Sequence, residues 1–199
     1  MSTDLSPSAA AATMTRRAAL QRAAVLLGAA LTPSIWQGAL RAQTAPAAGP
    51  GAAPRYLSPG QFAAVGAVAE RILPRTDTPG ALDVGVPAFV DRMVGEFITP
   101  AEKTTLLAGL AGLDQTARAA HAKAFADLAA AQQDALLTRI AGESQNKSRT
   151  FFHLIRELTI VGYFTSEPVG KNVLHYDPVP GRYDGCIPLS DVGNRSWTK

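Results

Sequence analysis

The chain has 199 residues, 47% of them hydrophobic and 18% charged, with 19 Lys+Arg against 16 Asp+Glu and one cysteine. Residues 1–42 hold four of the bases (Arg16, Arg17, Arg22, Arg41) and one of the acids (Asp4), which leaves 15 of each sign in the rest. A balanced body lacks the net basic field that a nucleic acid or an anionic lipid surface needs, and nucleic acid is excluded as a partner. The length beyond residue 42 is one domain's worth, enough for a single sizeable core.

The first element is TRRAALQRAAVLLGAALTPSIW, Thr15 to Trp36. Its uninterrupted apolar run, Ala23 to Leu31, is nine residues long, and a spanning helix needs about 20. A core helix is a poor reading too, because Gly28, Pro33 and the TAPAAGPGAAP tract after them leave nothing for the run to pack on. A polar start, the Arg16-Arg17 pair, an apolar segment and small residues around Ala39 to Ala42 fit an export leader. The order Thr-Arg-Arg-Ala-Ala-Leu is similar to a twin-arginine signal, with Arg16 and Arg17 as its signature, and an ordinary secretory leader is the alternative. Ala42 and Ala47 both suit a cut. Residues 1–42 are therefore expected to be the export signal and 43–55, QTAPAAGPGAAPR, a flexible linker.

An all-α body of about five helices is expected over 56–166. Ser58 before Pro59 reads as an N-cap with proline in the first turn. Phe62, Val65, Val68, Ala69, Ile72 and Leu73 then recur at helical spacing until Pro74. RTDTPGALDVGV reads as a loop. Pro87 opens a second helix with Phe89, Val90, Met93, Val94 and Phe97 inward. Thr99-Pro100-Ala101-Glu102 has the form of a capping box, so a third helix runs from Pro100 to near His121. A fourth spans about Ala130 to Ala141, carries Leu136, Leu137 and Ile140, and ends at Gly142. The fifth, SRTFFHLIRELTIVGYF, is apolar around nearly its whole circumference, which predicts burial on more than one side. From Glu167 the helical pattern stops. Residues 167–199 form a Pro/Gly-rich, aromatic-dotted stretch (Tyr176, Tyr183, Trp197) expected to be an extended tail that packs on a partner subunit.

Chemistry-bearing groups are few. His153 and Glu157 lie four apart on the fifth helix, a spacing that places two ligands on one face, whereas a metal centre needs three or four. A helix-surface or core His/Glu pair is the plainer account. His175-Tyr176-Asp177 is a second polar cluster, read as tail packing. The chain carries no Gly-x-Gly-x-x-Gly after a strand, no P-loop and no Cys-x-x-Cys-His. Cys186, in Tyr183-Asp-Gly-Cys186-Ile-Pro, is the lone cysteine, and in an exported protein an odd cysteine points to a free thiol or an intersubunit disulfide.

The leader, the helical body and the block FFHLIRELTIVGYFTSEPVGKNVLHYDPVPGRYDGCIPL, Phe151 to Leu189, together resemble the gluconate 2-dehydrogenase subunit 3 family, the small subunit of membrane-associated flavin dehydrogenases. The resemblance implies a non-catalytic chain with no catalytic, cofactor or metal residues of its own. Its partner is a large flavoprotein of the glucose-methanol-choline type that oxidises a sugar, polyol or sugar acid with FAD, and a multihaem cytochrome c subunit carries haem c. The implied role is escort of the flavoprotein through the twin-arginine translocase. The expected location is the periplasm, at the inner membrane through the complex. Candidates for contact with the flavoprotein are Tyr163, Phe164, His175, Tyr176 and Tyr183, with Cys186 as the intersubunit disulfide candidate. A stand-alone periplasmic enzyme using His153, Glu157 and His175 with a metal, and a periplasmic binding module with a pocket inside the helices, are the rival readings.

Overall fold

A computed structural model describes residues 53–145, 147, 149–176, 181 and 186–195. Among these there are six α-helices, two short 3-10 turns and no strand, so the protein is all-α as its periodicity predicts. The expectations for Arg16, Arg17, residues 1–42, Tyr183 and Trp197 lie outside the described residues.

Helix α1, Pro59–Ile72, starts on a complete capping box: the Ser58 hydroxyl accepts the Gln61 N–H, and the Gln61 side-chain carbonyl accepts the Ser58 N–H at 2.9 Å. Both bonds satisfy helix-end donors that would otherwise lack partners. Its inward face is Ala64, Val65, Gly66, Val68 and Ala69. Phe62, Ile72 and Leu73, expected inward, are only half-buried at its edges.

Helix α2, Val86–Glu96, comes directly after Gly85, which sits at φ 78°. That left-handed conformation is open to glycine at little cost and lets the loop turn straight into the helix. The helix therefore begins one residue before Pro87 and keeps the proline in its first turn, where no amide is needed.

Helix α3, Pro100–His121, has the boundaries its capping box predicts, with Thr99 and Glu102 satisfying each other's backbone N–H groups. Leu106, Leu110, Leu113 and Ala117 form its buried stripe. A 3-10 turn at Phe125–Asp127, which the sequence pattern did not suggest, drops the fully buried Phe125 ring into the core.

Helix α4, Ala130–Ser144, passes through Gly142 instead of ending there. Gly142 is exposed and a Cβ would meet nothing within 4 Å, so the helix crosses it without a turn signal being used. The Ser144 hydroxyl closes the end by donating to the Ile140 carbonyl at 2.8 Å.

Helix α5, Phe151–Phe164, is capped by Thr150 and packs against α1, α2, α3 and α4. It is the central element, and Leu154, Ile155, Leu158 and Thr159 are at most 2% exposed. Burial is not complete around it, however: Arg156, Ile160 and Phe164 face outward. The expectation that all helical order ends at Glu167 is also corrected. Residues Glu167–Asn172 form a short α6 with Pro168 in its first turn, held to the body by Val169, which is fully buried. Further along, a 3-10 turn at Leu189–Val192 buries Val192. Each such fully buried aliphatic or aromatic side chain contributes about 1.5–3 kcal/mol relative to exposure.

Candidate partner-docking site

Four groups of residues frame the candidate site: the loop between α1 and α2, the outward face of α5, the segment after α6, and the polar pair at the start of α5.

The loop from Pro74 to Gly85 has no regular structure, yet its backbone is thoroughly tied. Glu70 on α1 spends both carboxylate oxygens on it, one accepting the Arg75 N–H at 3.1 Å and the other the Leu82 N–H at 3.0 Å. Asp83 accepts the Gly80 N–H at 2.8 Å and pairs with the Arg75 guanidinium. That guanidinium, and after it the Gly80 amide, holds the Asp83 carboxyl below the usual aspartate range. Within the loop Ala81 is fully buried, while Leu82 projects at 46% exposure.

Tyr163 is one of the expected partner contacts, and the structure places it inside. It is 5% exposed, and its hydroxyl donates to the Pro79 carbonyl at 2.8 Å, tying α5 to the α1–α2 loop. Its neighbour Phe164 points the other way, 47% exposed, with the two rings edge to face at 5.2 Å. One residue along a helix is a rotation of about 100°, so adjacent aromatics at the rim of an amphipathic helix naturally divide between core and surface. Ile160, four residues before Phe164, is 39% exposed on the same outward face. Further back on it, the Arg156 guanidinium lies 5.9 Å from the centre of the Phe152 ring. Sequence reading missed Ile160 as an outward residue because nothing in an apolar helix marks which of its faces lacks a neighbour.

Beyond α6, His175 is half-buried and Tyr176 is 52% exposed. Leu189 is 58% exposed, and the Cys186 thiol is exposed and unbonded in the single chain. Among the described residues the large aromatic and apolar side chains at the surface are Phe164, Tyr176, Ile160 and Leu189, together with Tyr56 ahead of α1 and Leu82 in the α1–α2 loop.

His153 and Glu157 share α5, but the first ring nitrogen of His153 is engaged locally. Its Nδ1 lies 2.8 Å from the Thr150 hydroxyl, whose oxygen caps the helix by accepting the His153 N–H. Among the described residues no three His, Cys, Asp or Glu side chains gather as a metal site. No described helix is long and apolar enough to cross a membrane.

Two connections between elements fix the frame behind these surfaces. Arg71 of α1 clasps Asp134 of α4 through two bonds, 2.7 and 2.9 Å. Asp114 of α3 accepts the Phe125 N–H at 2.9 Å and pairs with Arg118, and these two contacts depress its carboxyl below the ordinary range. A third carboxylate, Asp91, is only 3% exposed and was not singled out in the sequence. The available signal was an acid set within the inward stripe Val90, Met93, Val94 of α2, where burial demands a full set of donors.

The family model described as gluconate 2-dehydrogenase subunit 3 matches residues 59–181, more than half of the chain, beginning at the first residue of α1. The match takes in Phe164, His175 and Tyr176 and stops short of Cys186. Searches of curated proteins and of solved structures returned no match. With its whole helical body inside the matched span, the chain belongs to the gluconate 2-dehydrogenase subunit 3 family.

Proposed function

We propose that this chain is the non-catalytic small subunit of an FAD-dependent dehydrogenase complex that oxidises sugars, polyols or sugar acids. In this reading it escorts the catalytic flavoprotein through twin-arginine export and stays bound afterwards as a stabilising subunit. The observation that carries the reading is the family match over the entire helical body. Supporting it, His153, one of the ligand candidates of the sequence, is engaged locally with the Thr150 cap. Apolar side chains at Ile160, Phe164, Tyr176 and Leu189 stay at the surface, as a docking face requires.

The flavoprotein supplies FAD and the chemistry, and a multihaem cytochrome c subunit carries haem c and passes the electrons onward. The leader has a physical rationale in this scheme. A flavoprotein must fold around FAD where FAD is made, and the twin-arginine route moves folded cargo, so one signal on a bound partner serves two proteins. Activity then resides in the periplasm, at the inner membrane. Cys186 is the group for an intersubunit disulfide: its thiol and a partner thiol lose two protons and two electrons to the thiol oxidants of the exported compartment as the S–S bond forms.

The test is co-expression with a flavoprotein subunit of the glucose-methanol-choline type, purification through a tag on this chain, and an absorption spectrum. A flavin band with a co-eluting large chain is expected, and non-reducing electrophoresis is expected to show a shifted species that Cys186→Ser abolishes. Replacing Arg16 and Arg17 by lysine is expected to leave the flavoprotein in the cytoplasm. A colourless single chain, or a flavoprotein exported equally well without the arginines, overturns the escort reading.

A further inference from the structure

Asp91 lies on the inward side of α2, 3% exposed. Its carboxylate accepts three consecutive backbone N–H groups: Arg55 on one oxygen at 2.8 Å, and Tyr56 and Leu57 on the other at 3.0 and 2.7 Å. These residues lie at the junction where the Pro/Ala/Gly-rich stretch of the sequence meets the helical body. The junction is secured a second way by Tyr56, whose hydroxyl donates to Glu96 at 2.9 Å and whose ring lies against Gly95, so closely that a Cβ there would be 2.2 Å from it. Leu57 is buried, and Ser58 enters the capping box of α1. From Arg55 to Gln61 the chain is therefore held by a buried carboxylate, a ring slot and a helix cap in unbroken succession. Arg55 itself is exposed.

A peptidase with a preference for basic residues finds Arg55 at the surface with the bond to Tyr56 next to it. To cut, it must draw several residues on each side of that bond into an extended cleft. On the C-terminal side the amides of Tyr56, Leu57 and Ser58 are each held by a side-chain acceptor, and the amide of Arg55 is held too. We propose that the Asp91 clamp makes the Arg55–Tyr56 bond a protected processing boundary: trimming of the upstream Pro/Ala/Gly stretch halts there, and the fold sets the N-terminus of the finished body. Cleavage at Arg55 then tracks the small fraction of molecules in which the clamp is open, since charge-assisted bonds to buried carboxylates are among the stronger hydrogen bonds and local opening governs proteolysis of native chains. The proposal is independent of any partner subunit.

The experiment is digestion of the full-length chain with trypsin under native conditions, with new N-termini read by mass spectrometry. A synthetic peptide of residues 51–60 serves as the unclamped reference. Cutting after Arg55 is expected to be at least about 100-fold slower in the native chain than in the peptide, the protection that three such bonds provide. Rates within about threefold of each other overturn the proposal, since they mean that local opening is nearly free. In Asp91→Ala, with cooperative unfolding retained, the cut is expected to accelerate at least about tenfold, with Asp91→Asn in between because an amide oxygen still accepts on one side. A folded Asp91→Ala chain cut no faster than the wild type also overturns the assignment. Should Asp91→Ala not fold, Asp91→Asn decides: a folded Asp91→Asn chain cut no faster than the wild type overturns the assignment to Asp91.

Discussion

At the scale of single residues, glycines decide how closely these helices approach. A Cβ at Gly109 of α3 would stand 2.1 Å from the Phe151 ring, so the absence of a side chain is what admits the first ring of α5. Gly112, one turn along the same helix, faces open space, with nothing within 4 Å of its added Cβ. The pair separates packing from propensity. Gly112→Ala is expected to stabilise by about 0.5–1 kcal/mol, the intrinsic helix preference of alanine over glycine. Gly109→Ala receives the same backbone benefit but drives a methyl into Phe151, and overpacking of about 1–3 kcal/mol outweighs it. Thermal unfolding should therefore move up for Gly112→Ala and down for Gly109→Ala, each by about 2–6 °C. Equal shifts of one sign would show that Phe151 has another place to go. The Tyr163 and Phe164 neighbours make the same point about direction: sequence reading grouped both as partner contacts, yet one supports the Pro79 carbonyl and the other faces outward.

At the scale of elements, legibility in the sequence depends on how local each signal is. The capping boxes at Ser58 and Thr99 involve atoms three residues apart, and both helices start where those boxes predict. The end of α4 was misplaced because Gly142 terminates a helix only when the chain adopts a left-handed turn there, and the packing of the residues downstream decides that. The 3-10 turn at Phe125 was not legible, since it depends on Asp114 eleven residues earlier and on Gln133 eight later, whose amide donates to the Phe125 carbonyl at 3.0 Å. That same dependence yields a pH prediction. The Phe125 amide first, then Arg118, lower the Asp114 carboxyl from its ordinary range. A carboxyl depressed in the folded state adds stability that is fully present above its unfolded value, near pH 4, and is lost as the pH falls through the depressed folded value. Urea midpoints should thus hold between pH 7 and 5 and drop toward pH 3. Asp114→Asn is expected to be less stable at pH 7 and to show a shallower acid drop, because its amide does not titrate. An identical pH profile in the two chains would remove Asp114 from the account.

At the scale of the whole molecule, the question is why α5, the most apolar helix, leaves part of itself in water. Four other helices surround it, and a helix with neighbours on that many sides should be the best covered element of the bundle. Instead Ile160 and Phe164 remain 39% and 47% exposed on one stripe. The apolar periodicity of the sequence read correctly as more than a one-faced helix, but it could not say which stripe the bundle leaves uncovered. If the flavoprotein covers it, the stripe contributes to binding and little to folding. The double variant Ile160→Ser/Phe164→Ser should then keep a thermal midpoint within about 3 °C of the wild type, as surface changes usually do. Recovery of flavin with the tagged chain should fall at least about tenfold, the effect of removing central apolar anchors from an interface. The opposite pattern is equally informative: a large loss of stability with full flavin recovery would make the stripe part of this chain's own core and move the docking surface to the segment around Tyr176 and Cys186. Measuring both quantities on one preparation distinguishes a partner-covered helix from one that is merely under-packed.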